Sequence, residues 1–413
     1  IEKNIVVLGH GKEKVGHNIK DMNVQTVEQP IGEGYPYGTG YAVMAAENYI
    51  DDDETVLILC ADGPLVKKET LIDFMSYHFE NNCAASIMTA YLDNPRGYGR
   101  IVRKSDMSID EIVEEKDASE KIKNIKEINT GIYCFKGELL KYALKKITKN
   151  NSQNEYYLTD TIKVLNNEGA NIGGWLLEDA DDIKAVNDRV QLAEVTKIMQ
   201  KRINQRHMYS GVTIIDPDST YIDDSVKIGR DTVIYPNTYL EGGTVIGSNC
   251  TIGPNSRIID STVRNNVTVE SSKVIESYID DGTNVGPFAY LRPGSNLGKN
   301  VKIGDFVEVK KSIIGDNSKS SHLAYIGDAE VGKNVNIGCG VVFVNYDGKK
   351  KHKTIVGDGA FVGSNSNLVA PVTIEKGGYV AAGSTITEDV KEGDLAIARA
   401  RQVNKEGRGK NRF

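Results

Sequence analysis

Arg292 and Lys310 stand three hexapeptides apart, and Glu308, His322 and Tyr325 fall close beside them. Two cations one structural repeat apart make a phosphate site, because guanidinium and ammonium both form charge-assisted hydrogen bonds to anionic oxygen. A carboxylate beside an imidazole orients the ring for proton transfer. Glu308 and His322 are separated by somewhat less than three hexapeptides, so a four-residue irregularity in the coil brings them onto one face. Asn336, the run Asn345-Tyr346-Asp347-Gly348 and Lys353 follow within the same short span of chain. Each is a common surface residue by itself, and only their convergence points to chemistry. A second candidate stands alone. Asp62, in the turn Cys60-Ala61-Asp62-Gly63-Pro64 after an apolar run, is placed to reach a metal or a phosphate; a solvated loop aspartate is the alternative.

The elements that carry these side chains change character along the chain. From residue 1 to about 185, strands alternate with amphipathic helices: strand 5–8, helix 39–50, strand 55–60, helix 68–81, strand 84–90. That rhythm predicts βαβ units, a mostly parallel sheet, and a ligand beyond the carboxyl ends of its strands, where Asp62 lies. Residues 187–207 predict one helix joining two domains, with Leu192, Val195, Met199 and Ile203 on one stripe.

Beyond that helix a period of six takes over. Ile222, Ile228, Ile234, Leu240, Ile246, Ile252 and Ile258 are all aliphatic, and the register returns at Val285, Leu291, Leu297, Ile303 and Val309, then from Val356 to Ile386. A six-residue aliphatic repeat rich in Gly and Asn predicts a parallel β-helix, whose stacked coils bury what one coil cannot. At three hexapeptides per triangular coil, 212–390 makes roughly ten coils, a prism about 50 Å long at about 4.8 Å per layer. The repeat itself leaves the handedness open. Phase slips near 260–280, 312–324 and 344–355 predict loops or corners, and those segments hold most of the reactive side chains. The tail from 391 is basic, with Arg399, Arg401, Lys405, Arg408, Lys410 and Arg412 against Glu406; it is either a solvated end or an anion clamp.

Composition excludes several classes. With 57 acidic against 50 basic residues among 413, a formal charge of -7, the chain carries no broad basic field for nucleic acid. No apolar run approaches the roughly 20 residues that span a bilayer, and no signal segment opens the sequence. Five scattered cysteines without a Cys-x-x-Cys pair argue against a disulfide framework or a zinc ribbon and for a reduced cytoplasmic location. Only His322 and His352 lie in the repeat region, too few for a three-histidine zinc site. Ile1 in place of Met, leading at once into a strand, predicts an N-terminally truncated chain.

The segments 290–294, 306–311, 322–330, 334–338, 345–348 and 368–373, preceded by Gly38-Thr39-Gly40, Tyr98-Gly99-Arg100-Ile101, Glu127-Ile128-Asn129-Thr130-Gly131 and Val186-Asn187, resemble one family over nearly the whole chain. It is the bifunctional bacterial N-acetylglucosamine-1-phosphate uridyltransferase and glucosamine-1-phosphate N-acetyltransferase family. The resemblance implies a Rossmann-like nucleotidyltransferase domain at 1–186, a linker helix at 187–211, a left-handed β-helix acetyltransferase domain at 212–390 and a basic tail at 391–413. It implies a homotrimer with acetyl-transfer sites at subunit boundaries, feeding cell-wall precursors. By the same likeness His322 is the general base and Glu308 its partner; Arg292, Lys310 and Lys353 bind phosphate, and Tyr325 and Asn336 the sugar of glucosamine-1-phosphate. Cys339, Asn345, Tyr346, Ser364, Ala382 and Arg399 contact acetyl-CoA. In the first half, Asp62 and Asn187 resemble Mg²⁺ ligands, and Gly38, Thr39, Gly99, Glu114, Asn129 and Asn187 contacts to UTP and UDP-N-acetylglucosamine.

The chain departs from the family pattern in places. The family's opening strand, its Gly-x-Gly-Thr-Arg-Met loop and the lysine after it have no counterpart before Ile1, so uridylyl transfer is expected to be inactive in this chain. Residues 31–37 look like an insertion, Ala61 replaces a usual glycine, and the uracil-binding glutamine has no certain match, Gln25 being only nearby. Two rival functions are weaker: a sugar-nucleotide pyrophosphorylase whose β-helix only oligomerises, which predicts no use of acetyl-CoA and leaves His322, Asn345 and Arg399 without a purpose, and a nonenzymatic structural prism, whose uniform faces the irregular charged segments contradict.

Overall fold

The computed structural model describes residues 1–409, so Lys410 and Arg412 of the basic tail lie outside the described residues. Two compact units divide at 196/197. In the first, β1 (Ile5–Leu8), α1 (Lys12–Ile19) and β2 (Gln25–Glu28) form a βαβ unit whose two strands pair in parallel, apart from the main sheet. Then follow α2 (Thr39–Ala45), β3 (Thr55–Ile58), α3 (Lys68–Glu80), β4 (Ala85–Tyr91), β5 (Arg100–Arg103), β6 (Ile109–Val113), α4 (Glu120–Lys123), β7 (Glu127–Lys136), α5 (Gly137–Leu144), α6 (Asp160–Asn167) and β8 (Ile172–Leu176).

The main sheet runs β6-β5-β7-β4-β8, with β3 also on β7. It is mixed, which corrects the expectation of a mostly parallel sheet. The cause is β7, a long strand that inserts between β3 and β4 and runs antiparallel to both. The β3–α3–β4 crossover is present, but its two parallel strands are not neighbours. Alternation along β4 feeds both sides of the sheet: Ala85 and Ile87 pack with Leu140, Leu144 and Ile162 of α5 and α6, and Met88 and Ala90 pack with Phe74 of α3.

The second unit begins within α7 (Arg189–Tyr209) and continues as short strands of two to four residues. Among the described residues they stack into parallel sheets of ten, nine and eleven strands, each strand pairing with the one three further along the chain except at the last pair, which is two apart. The predicted aliphatic register is the interior: Ile222, Ile234, Leu291, Val309, Leu368 and Val380 are all buried, and only Ile228 of the first run is partly open. Leu395–Ala396 adds a last strand on Tyr379–Val380, so the predicted tail still belongs to the prism at its start. At the other end α7 closes the stack, as a polar cap must in a solenoid. Its Gln200 and Asn204 amides donate to the carbonyls of Pro217 and Thr220, and Ile203 joins the core.

Coil length varies, and the phase slips record it. Tyr239 pairs with Arg257 a full three hexapeptides on, whereas Arg257 pairs with Lys273 two positions sooner and Lys302 with Lys319 one position sooner. The first two slips are therefore shortened corners rather than loops. The third is a true excursion: Val342 pairs with Asn367, in a coil far longer than its neighbours. One corner is built from a column of residues at positive φ, Asn237, Asn255, Ser271, Phe288, Phe306, Leu323, Gly340, Asn365 and Gly383, where the chain turns from the eleven-stranded to the ten-stranded face.

One interior position breaks the aliphatic pattern. Ser320 lies between Ile303 and Ile337 in register, is buried, and its hydroxyl has no hydrogen-bond partner. A buried unpaired hydroxyl carries its desolvation cost without return. Ser320→Ala is expected to stabilise this unit by about 1 kcal/mol, read by denaturant unfolding followed by circular dichroism. A loss of stability would contradict the unpaired state.

Candidate functional site

In the first unit the nucleotidyltransferase candidates gather past the end of β3. Gly38 has φ 116°, and a Cβ there would lie 2.3 Å from the Tyr156 carbonyl oxygen. Only glycine lets the start of α2 press against that backbone. Thr39 Oγ1 accepts from Leu158 N at 3.1 Å, which fixes the same contact. Gly99, Glu114 and Asn129 form one group: a Cβ on Gly99 would meet both Glu114 Oε2 and Asn129 Cβ at 3.5 Å. Asn129 donates to the Tyr133 hydroxyl at 2.7 Å and accepts from Gly131 N at 3.1 Å. Val186 N donates to the Asp62 carbonyl at 2.9 Å, so Asn187 and Asp62 are brought to one place although far apart in sequence. Gln25 lies on β2, outside the main sheet.

Burial pushes the Glu114 carboxyl above its ordinary value, against the hydrogen bond from Thr159 and with the help of Asp160 and Asp117. Burial also raises the thiol of Cys60, with Asp62 and Glu114 adding to it. A carboxyl raised by folding holds its proton more tightly folded than unfolded. Its stabilising contribution is full below about pH 4.3 and fades as pH climbs through the raised value. At neutral pH the buried charge therefore costs stability. Glu114→Gln is expected to raise the melting temperature of this unit by roughly 2–4 °C at pH 7 and to change it little near pH 4. The fluorescence of Trp175, the chain's one tryptophan, on β8, reports the transition. An equal shift at both pH values would refute the charge argument.

In the second unit the candidates occupy two adjoining faces of the prism. On the ten-stranded face Tyr290 pairs with Glu308, and Glu308 with Tyr325. Arg292 Nη1 donates to Glu308 Oε1 at 2.8 Å. Lys310 lies in register with Gly327, and its ammonium is 3.7 Å from Asp328 Oδ2. The Asn345 amide donates to the same Asp328 oxygen at 2.6 Å and lies 3.3 Å from the Tyr325 hydroxyl. Gly327 makes this possible, because a Cβ there would stand 2.4 Å from the Tyr325 hydroxyl oxygen and 2.7 Å from Asn345 Nδ2.

The long coil folds back over this group. Tyr346 and Lys351 bridge as a small hairpin, and the Asp347 carboxylate staples it by accepting from Lys349 N, Lys350 N and His352 Nε2. Those donors hold Asp347 well below the usual carboxylate range. The hairpin turns Lys351 toward Lys310. Together with burial, the Lys351 ammonium keeps Lys310 below the ordinary lysine value, opposed by Asp328, and Lys351 also feels Arg292 and Tyr325. Lys353, the lysine singled out in the sequence, instead pairs with Glu330 on the nine-stranded face. The third cation of the cluster is thus Lys351. Alternation across the hairpin separates the two lysines, and no spacing rule reveals which one turns inward.

The eleven-stranded face carries the imidazole. His322 Nδ1 lies 2.5 Å from Asp305 Oδ1, and the two residues are register partners in adjacent coils. Glu308, expected as the partner, is across the corner on Arg292. Spacing alone misses Asp305, although its separation from His322 is one shortened coil. Further layers repeat the position: Asn365 N donates to the Cys339 carbonyl, Gly383 N to that of Ser364, and Arg399 Nη1 to that of Ala382. Asn336 is on the same face, in register with Lys319 and Phe361. Tyr346 is exposed on the excursion, its hydroxyl bonded to the Gly348 carbonyl. Three cations on one face therefore border a column that begins with a carboxylate-held imidazole.

Comparison with known proteins agrees with this layout. The Nucleotidyl transferase family matches residues 1–194, and the Bacterial transferase hexapeptide (six repeats) family matches 225–260. The prism is accordingly a left-handed parallel β-helix of hexapeptide repeats. The chain is 56% identical over 406 residues to the bifunctional protein GlmU of Alkaliphilus metalliredigens, covering 98% of this chain and 88% of that protein. It is 56% identical over 407 residues to that of Acetivibrio thermocellus, with 98% and 87% covered. Against that of Clostridioides difficile the identity is 52%, with 98% and 88% covered. Coverage of this extent gives no support to the expectation that uridylyl transfer is lost. With both halves matched in order and over nearly all its length, the chain belongs to the bifunctional GlmU family.

Proposed function

We propose that the chain is a bifunctional transferase of cell-wall precursor synthesis. It moves the acetyl group of acetyl-CoA to the amine of glucosamine-1-phosphate and couples the product to UTP, giving UDP-N-acetylglucosamine and releasing pyrophosphate. The observation that carries the first activity is the cluster of Arg292, Lys310 and Lys351 one corner away from the Asp305–His322 pair. The cations hold the sugar phosphate as charge-assisted hydrogen-bond donors, and Tyr325 and Asn336 hold the sugar. His322 Nε2 takes a proton from the 2-amino group as its nitrogen attacks the thioester carbonyl. The carbon–sulfur bond breaks, and the coenzyme leaves as thiolate and is protonated to the thiol. Asn345, Tyr346, Cys339, Ser364, Ala382 and Arg399 line the path of the coenzyme, and a trimer completes the site.

For the second activity, Gly38, Thr39, Gly99, Glu114 and Asn129 hold nucleotide and sugar. Asp62 and Asn187 offer oxygen donors that suit magnesium, a hard cation that neutralises phosphate charge. A cytoplasmic location fits both substrates, and among the described residues no helix is long and apolar enough to cross a membrane. The test is thiol release from acetyl-CoA: release that requires glucosamine-1-phosphate supports the reading. Its absence, with UTP turnover intact, would leave the β-helix only an assembly role.

A further inference from the structure

The family likeness points to Glu308 as the companion of the catalytic imidazole, but the geometry does not. Glu308 stands on the ten-stranded face with an oxygen 2.8 Å from the Arg292 guanidinium. Asp305 Oδ1 is 2.5 Å from His322 Nδ1, and both side chains remain open to solvent, His322 at 57% and Asp305 at 37%. Asp305 is also firmly held. Leu323 N donates to its carbonyl at 2.9 Å. On one side Gly304 packs so close to the next coil that a Cβ would lie 2.1 Å from the Ser321 carbonyl oxygen. On the other, Phe306 stacks on Phe288 with centroids 5.4 Å apart. The charged residues on the two strands are Lys302 beside Asp305 and Lys319 beside His322, in register with each other. The hydrogen bond to His322, followed more weakly by Lys302, holds the Asp305 carboxyl below its ordinary range.

We propose that Asp305, in place of Glu308, is the positioning residue that orients His322 for acetyl transfer. The inference rests on the reading of His322 as general base. An ionised carboxylate accepts the Nδ1–H, which fixes the neutral ring in the tautomer whose Nε2 lone pair is free. When Nε2 takes the amine proton, the same carboxylate faces the new imidazolium charge at contact distance. Glu308 acts instead on the substrate side, by orienting Arg292.

Asp305→Asn tests the assignment, because a carboxamide can rotate to donate to Nδ1 and so favour the wrong tautomer. In the whole two-unit chain kcat is expected to fall about 10–100-fold, with KM for both substrates little changed. The ¹⁵N resonances of His322 should lose the predominance of the Nδ1–H form. Asp305→Ala should match this loss, and Asp305→Glu should recover part of it. Glu308→Gln should act mainly through KM for glucosamine-1-phosphate. If Asp305→Asn and Asp305→Ala keep wild-type kcat and tautomer while His322→Ala is inactive, the positioning role is overturned and the base assignment survives. If His322→Ala itself turns over normally, the parent reading fails.

Discussion

Acetyl transfer by His322→Ala is expected to fall by about 10²–10⁴, the usual worth of a positioned general base. The amine that attacks the thioester must give up a proton, and the His322 imidazole presents a ring nitrogen to accept it. Its other nitrogen faces Asp305. Structure should survive, because the ring is largely exposed and contributes nothing to the aliphatic interior. Steady-state thiol release, with oligomeric state checked by light scattering, separates the outcomes. Undiminished turnover in an intact assembly would remove the imidazole from the mechanism.

Phe343→Ala is expected to cost the β-helix about 3–5 kcal/mol, the range for a buried aromatic truncated to a methyl group. Phe343 is fully buried at the centre of Val342–Val344, in register with Leu368 of the next coil. Strands hydrogen-bonded above and below hold the wall in place, so the vacated volume cannot collapse. Asn345 follows two residues later, so acetyl transfer should weaken at temperatures where the fold still holds. Denaturant unfolding by circular dichroism measures the loss, while Trp175 fluorescence follows the other unit as an internal reference. A cost below about 1 kcal/mol would mean that the interior relaxes around the gap.

The stacked coils are legible in the sequence because nearly every interior position in the register is aliphatic, so Ile234, Leu240 and Ile246 announce themselves at intervals of six. Coil length is not legible, because a shortened corner leaves no mark beyond a change of phase. Spacing therefore matches His322 with Glu308 only by assuming an irregular coil, when a coil one residue short of three hexapeptides leads to Asp305. The choice between Lys351 and Lys353 depends on a hairpin fixed by Asp347, a local staple invisible to periodicity. In the first unit, β3, α3 and β4 are readable from their apolar patterns. The insertion of β7 between those strands is a long-range pairing that no window of sequence contains.

The long coil leaves the ladder at Val344 and rejoins it at Thr354, and the pairing above and below continues without a break. Length changes within 346–351 therefore alter what covers the cation cluster while leaving every other layer in place. A single deletion within a strand of an ordinary coil does the reverse, since it turns an inward-facing side chain outward, whereas the corners already absorb coils one or two residues shorter. The excursion is thus the one place on the prism where a stretch of several residues can change without disturbing a strand, among the described residues.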